Sequence, residues 1–142
     1  ELYQEFNESL LSSENTLPLL VFCDSGVDSV IMLAHIVSSP HFDVRGIVCC
    51  DDTISGGQCL SKTKQICELV KREDIKLFSI DTNSETQISS VSSNQDDQLQ
   101  LPPPVMAHHT GDAIDAAIHI IREASPHSIT IVSNGCLSNV CS

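Results

Sequence analysis

Apolar residues along this chain fall into short unbroken runs that alternate with stretches of helical spacing. Leu17-Pro18-Leu19-Leu20-Val21-Phe22-Cys23 is almost continuously apolar, which predicts a buried strand. Beyond it, Val27, Val30, Ile31, Ala34 and Val37 recur at helical spacing until Ser38-Ser39-Pro40 stops the helix. Val44 to Cys50 predicts a second buried strand. It opens into Asp51-Asp52-Thr53, and Ser55-Gly56-Gly57 precedes a helix marked by Leu60, Ile66, Cys67 and Val70. Ile75 to Ile80 predicts a third strand. Ile114, Ala117, Ile118 and Ile121 mark another helix, and Ser128 to Val132 a fourth strand.

Strand alternating with helix predicts an α/β fold: a parallel sheet of about four strands, flanked by helices and joined by right-handed crossovers. The expected organisation is a polar lead-in over residues 1–16 and one domain over 17–142. A polar stretch at 81–104, closed by Pro102-Pro103-Pro104, interrupts it. Its hydrophobicity is too low to anchor it, so it is expected to be a flexible loop. The chain stops where a further helix should begin, and it opens on Glu1 rather than methionine. Both ends suggest a truncated, processed or partial product. A half-built sheet leaves an unpaired edge strand, so self-association into a homo-oligomer is expected.

Composition narrows the partners. A formal net charge of −12 argues against nucleic acid or an anionic membrane, because phosphate binding needs clustered Lys and Arg. Four of the seven basic residues (Lys62, Lys64, Lys71 and Arg72) lie in one helical stretch, which reads as a solvated face. The apolar runs fall far short of the roughly 20 residues of a membrane-spanning helix. Seven cysteines occur without a Cys-x-x-Cys pair. Cys23, Cys49 and Cys50 sit in or beside apolar strands, so reduced thiols in a cytoplasmic setting are expected. Cys136 and Cys141 are the one weak exception.

Candidate chemistry gathers at strand ends. Asp24 and Asp28 follow the first strand, Asp51 and Asp52 the second, and Asn134 through Asn139 the fourth. In a parallel sheet these ends share one edge, where ligands bind. Acidic groups there can hold a divalent cation or act as a general base. They can equally cap the following helices. His108-His109 lacks spaced partners and reads as solvent-exposed, while His35, His41, His119 and His127 carry no pattern. Ser25 and Ser29 lack the elbow motif of a nucleophile.

The arrangement of these residues resembles the inosine–uridine-preferring nucleoside hydrolases. That family opens with a strand followed by Asp-x-Asp-Pro-Gly-x-Asp-Asp, matched here by Phe22-Cys23-Asp24-Ser25-Gly26-Val27-Asp28-Ser29. Its second strand ends in Gly-Asn, loosely matched by Asp51-Asp52. Its fourth runs into Gly-Pro-Leu-Thr-Asn, matched by Gly135-Cys136-Leu137-Ser138-Asn139. The family domain is about twice this length, large for a single domain, so the resemblance covers its N-terminal half. It implies cleavage of the N-glycosidic bond of a ribonucleoside through an oxocarbenium-like transition state. Asp24 would be the base that activates water and a calcium ligand, and the carbonyl of Asn134 a further calcium ligand. Asp28, Asp52 and Asn139 would bind the ribose.

Two departures stand out. The family's first aspartate is Phe22, which cannot ligate a cation, and its last is Ser29, a weak neutral substitute. Calcium takes about 6–8 oxygens, some of them charged, so it is expected to be absent or weakly bound. The remaining metal aspartate and the leaving-group histidine fall beyond the matched half. General base action alone supplies ~10²–10⁴-fold, against ~10⁶ or more for an enzyme.

The expectation is therefore a divergent, truncated nucleoside hydrolase-like protein with hydrolysis weak or lost. One alternative is a non-catalytic remnant that binds a nucleoside, ribose or another protein. A second is a receiver-type signalling domain with Asp24, Asp51 and Asp52 around magnesium. That reading lacks the expected lysine and leaves the Gly135 to Asn139 match unexplained.

Overall fold

The computed structural model describes residues 16–50, 58–80, 103–105 and 112–134. Four strands, β1 (Leu17–Cys23), β2 (Phe42–Cys50), β3 (Leu77–Ile80) and β4 (Thr130–Ser133), alternate with three helices. The helices are α1 (Val27–Ser38), α2 (Gln58–Leu69) and α3 (Ala113–Glu123). All strand pairs are parallel, and the strand order is β3-β2-β1-β4. The expected α/β class with a four-stranded parallel sheet is what forms.

The apolar runs divide with a period of two, as strands buried on both faces must. Leu19, Val21, Cys23, Ile47, Cys49 and Leu77 pack on one face against Leu33, Ile36 and Val37 of α1 and Cys59, Ile66 and Cys67 of α2. Leu20, Phe22, Val48, Cys50 and Phe78 pack on the other, against Ala113 and Ala117 of α3. This split follows from chain direction. Strands β1, β2 and β3 are laid down in one direction, and β4 returns to the far side of β1. Right-handed crossovers then place α1 and α2 on one face and α3 on the opposite one. The order reverses between β1 and β4, which is where an open α/β sheet leaves a crevice.

Two local devices hold the frame. Gly46 lets α3 approach the sheet: a Cβ there would lie 3.0 Å from Ile120 Cδ1 and 3.2 Å from Phe78 Cε2. Helix α2 ends with Lys71 in the left-handed region, Arg72 N–H bonded to the Cys67 carbonyl and Lys71 N–H to that of Glu68. That is a Schellman cap with lysine in the place usually taken by glycine.

Element boundaries depart from the sequence pattern at three places. Strand β2 starts at Phe42 because Leu17 and Pro18 offer register partners to Phe42 and Asp43. Strand β3 begins only at Leu77, with Ile75 buried just ahead of it. Strand β4 begins at Thr130, because Ser128 N–H turns back to the Ser125 carbonyl and His127 takes a positive φ. The lead-in up to residue 15, residues 81–102, His108-His109, Cys136 and Cys141 lie outside the described residues. Among the described residues, no helix is long and apolar enough to cross a membrane.

Candidate functional site

The carboxyl ends of β1 and β4 are adjacent, in parallel register from Leu19↔Thr130 to Phe22↔Ser133. The next residue on each strand is polar: Asp24 after β1 and Asn134 after β4. Asn134 N–H donates to the Phe22 carbonyl at 3.0 Å, which extends the pairing one step and fixes Asn134 beside the β1 turn.

That turn is organised by Asp24. Its Oδ1 accepts the Gly26 amide at 2.9 Å and the Ser29 hydroxyl at 2.6 Å. The carboxylate thus closes an Asx-type turn and reaches into the first turn of α1. Gly26 occupies the N-cap position with extended backbone and no side-chain cap. Its lack of a Cβ is a matter of space, because one would collide with Asp28 Oδ1 and lie 3.0 Å from Asp24 Oδ1.

Asn134 joins the two acidic positions. Its Nδ2 donates to Asp28 Oδ2 at 3.0 Å and to Ser29 Oγ at 3.1 Å. An ionised carboxylate only accepts, so the amide must present its nitrogen to Asp28. Ser29 is fully buried and acts both ways, accepting from Asn134 and donating to Asp24. The Asn134 amide, followed by backbone amides in the first turn of α1, holds the exposed Asp28 carboxyl below the usual carboxylate range. Helix dipole and amide donors both favour the anion there.

The sequence-derived candidates therefore separate. Asp24, Asp28 and Asn134 meet at one rim, as the strand-end argument required. Asp52 and Asn139 lie outside the described residues. Three contributors carried weak or no sequence signal. Ser29 is a connecting hydroxyl rather than only a lost ligand. Asn134 uses its side chain as well as its backbone. Lys62 departs from the solvated face expected of it: its Nζ donates to the Ser25 carbonyl at 3.0 Å, tying α2 to the site turn.

Phe22, which stands where the family has its first aspartate, offers no side-chain oxygen to a cation. It is buried on the face covered by α3, within a cluster that includes Leu20, Val48 and Phe78. The rim offers two carboxylates, and Ser29 and Asn134 direct hydrogen-bond donors at both. Two charged ligands among neutral donors do not match a cation that takes about 6–8 oxygens. The Ser29 hydroxyl is directed at Asp24 and the Asn134 amide at Asp28.

With this geometry in place, comparison with known proteins is decisive. The family model for inosine-uridine preferring nucleoside hydrolases matches residues 19–142. This chain belongs to that family. The pyrimidine-specific ribonucleoside hydrolase RihA of Salmonella schwarzengrund is 28% identical over 129 residues, covering 87% of this chain and 41% of the relative. The Salmonella dublin enzyme of the same name gives the same identity and coverage. In fold, the chain is similar to a plant nucleoside hydrolase, the PpNRh1 enzyme, with a TM-score of 0.56 and 22% identity. That likeness covers 87% of this chain and 41% of the plant chain. This nucleoside hydrolase family member thus spans about two fifths of the length of the relatives it matches. Family membership does not favour the receiver-type alternative.

Proposed function

We propose that the β1/β4 crevice takes a ribonucleoside or ribose, and that hydrolysis there is weak or lost. The observation that carries this reading is the Asp24–Ser29–Asn134–Asp28 network at the point where strand order reverses. Asp28 is exposed and held as the anion, which suits acceptance of hydrogen bonds from ribose hydroxyls. Asp24 would be the base that activates water, the role the resemblance gives it. A rim of two carboxylates favours a sugar that develops positive charge at its anomeric carbon. General base action without further help supplies ~10²–10⁴-fold, too little for an efficient enzyme. Asp52 and Asn139 complete the proposed ribose contacts.

The compartment that suits this protein is a reducing one such as the cytoplasm, since cysteines buried in an apolar core behave as small hydrophobes. Self-association through the β4 edge belongs to the same reading. Ile131 is exposed on that edge strand.

Two measurements separate the versions. Base release from inosine and uridine is followed with calcium and with chelator, in the native protein and in Asp24→Asn. Release above a buffer blank that disappears in Asp24→Asn supports residual hydrolysis. In parallel, ribose and inosine should raise Tm, and Asp28→Ala should remove the rise. A Tm response without release supports binding alone. Absence of both base release and a Tm rise overturns the proposal.

A further inference from the structure

A second cluster begins at the residue just before Asp24. Cys23 is the last residue of β1, Cys49 is its register partner on β2, and Cys59 sits in the first turn of α2. All three are buried, with 0%, 0% and 1% exposure. Their sulfurs lie within 4.8 Å of one another, and Cys23 Sγ is 3.6 Å from Cys59 Sγ. Thr63, one turn along α2 and also buried, brings Oγ1 to 3.8 Å from Cys23 Sγ and 3.5 Å from Cys49 Sγ.

These spacings match a coordination polyhedron. Zinc–thiolate bonds are about 2.3 Å, so tetrahedral geometry separates the sulfurs by about 3.8 Å. One pair is already at that separation, and the others need adjustments of about 1 Å or less. The hydroxyl of Thr63 stands at the distance of a fourth corner. Three converging thiols, joined by no histidine or carboxylate among the described residues, form a soft donor set, the kind that selects zinc or other thiophilic ions over calcium or magnesium.

We infer that Cys23, Cys49 and Cys59 form a binding site for one zinc-class thiophilic cation, with Thr63 as the fourth contact. Binding replaces three S–H protons by three metal–sulfur bonds: one Zn(II) enters, three protons leave, and the complex carries one negative charge. Thr63 can ligate the metal or donate its hydrogen to a thiolate. Either way the ion joins β1 and β2 to the first turn of α2, directly below Asp24. Such closed sites contribute to folding rather than to chemistry. The inference is independent of nucleoside binding, because it uses none of the rim side chains.

Cobalt(II) is the probe, as a coloured substitute for zinc. Titration of the metal-free protein should produce thiolate-to-cobalt charge transfer and tetrahedral cobalt absorption that saturate at one ion per chain. Zinc should bleach both and raise Tm. Cys59→Ser should weaken binding by about tenfold or more. Cys67→Ser should bind as the native protein does. Circular dichroism establishes that each variant is folded. Should Cys59→Ser fail to fold, X-ray absorption of the zinc-loaded native protein decides by its sulfur count, with three expected. No charge-transfer band in the native protein, fewer than three sulfurs, or undiminished binding in folded Cys59→Ser would overturn the inference. The three thiols would then be core packing alone.

Discussion

The side-chain amide of Asn134 lies 3.0 Å from Asp28 Oδ2, joining residues 106 positions apart across the β1/β4 crevice. Ser29 continues the link to Asp24 at 2.6 Å, so both acidic residues are held by one asparagine–serine pair. The polar rim is therefore built, and its parts can be removed one at a time.

Replacing Asn134 by alanine should raise the Asp28 pKa toward its ordinary value, because the amide is the leading cause of its depression. A group with a lowered folded pKa stabilises above its unfolded value, about 3.9 for aspartate. That stabilisation is lost as pH falls through the folded value. The stability gap between native protein and Asn134→Ala should thus be largest near neutrality and shrink below about pH 4. Carboxyl NMR titration, with urea unfolding at several pH values, checks both. An unchanged Asp28 titration would show that the amide does not hold the anion.

Gly26→Ala should disturb the site more than the fold. The added methyl collides with Asp28 Oδ1, and that exposed carboxylate can swing outward by giving up its bond to Asn134. The stability loss should stay at about 1 kcal/mol, the low end for overpacking. Any ribose-induced rise in Tm should vanish. Retention of a full Tm response would show that Asp28 need not hold this position.

Gly46→Ala tests the approach of α3 to the sheet. The new Cβ would press on Ile120 Cδ1 and on the buried ring of Phe78, so one of them must shift. A loss of about 1–3 kcal/mol is expected. Ile120→Val in the same background should recover part of it, a coupling that a double-mutant cycle measures. Simple additivity would place the strain elsewhere.

Phe22→Asp restores the family's first acidic residue by name but not by position. Phe22 is 3% exposed beneath α3, so the variant loses aromatic packing and buries a carboxylate. Destabilisation above about 3 kcal/mol is expected from the lost aromatic packing alone, and the buried charge adds to it. A near-native Tm accompanied by new calcium binding would show instead that the side chain turns to the rim.

Much of this was legible in the chain before any coordinates. The apolar run at Leu17–Cys23 matches β1 to the residue, and the strand is buried from Leu19 to Cys23. The helical spacing from Val27 to Val37 located α1, with Ser38 added as its last residue. Asp24 and Asp28 were recognisable as rim residues, since the carboxyl end of a parallel strand is where such side chains emerge. The family signature lay in the same residues.

Other features depended on tertiary contacts. Nothing in the local pattern placed β4 beside β1 rather than beyond β3, so the crevice and the Asn134–Asp28 bond were invisible to it. The extension of β2 back to Phe42 exists because Leu17 and Pro18 lie alongside. Lys62 looked like any exposed helix charge until the Ser25 carbonyl came within 3.0 Å. The three thiols are 26 and 10 residues apart in the chain, yet they converge through a strand register and a helix crossing. Hydrophobic periodicity acts over a few residues and determined the elements and the faces they bury. Which polar atoms meet was decided by strand order and crossover handedness, which act over the whole chain and leave no local pattern.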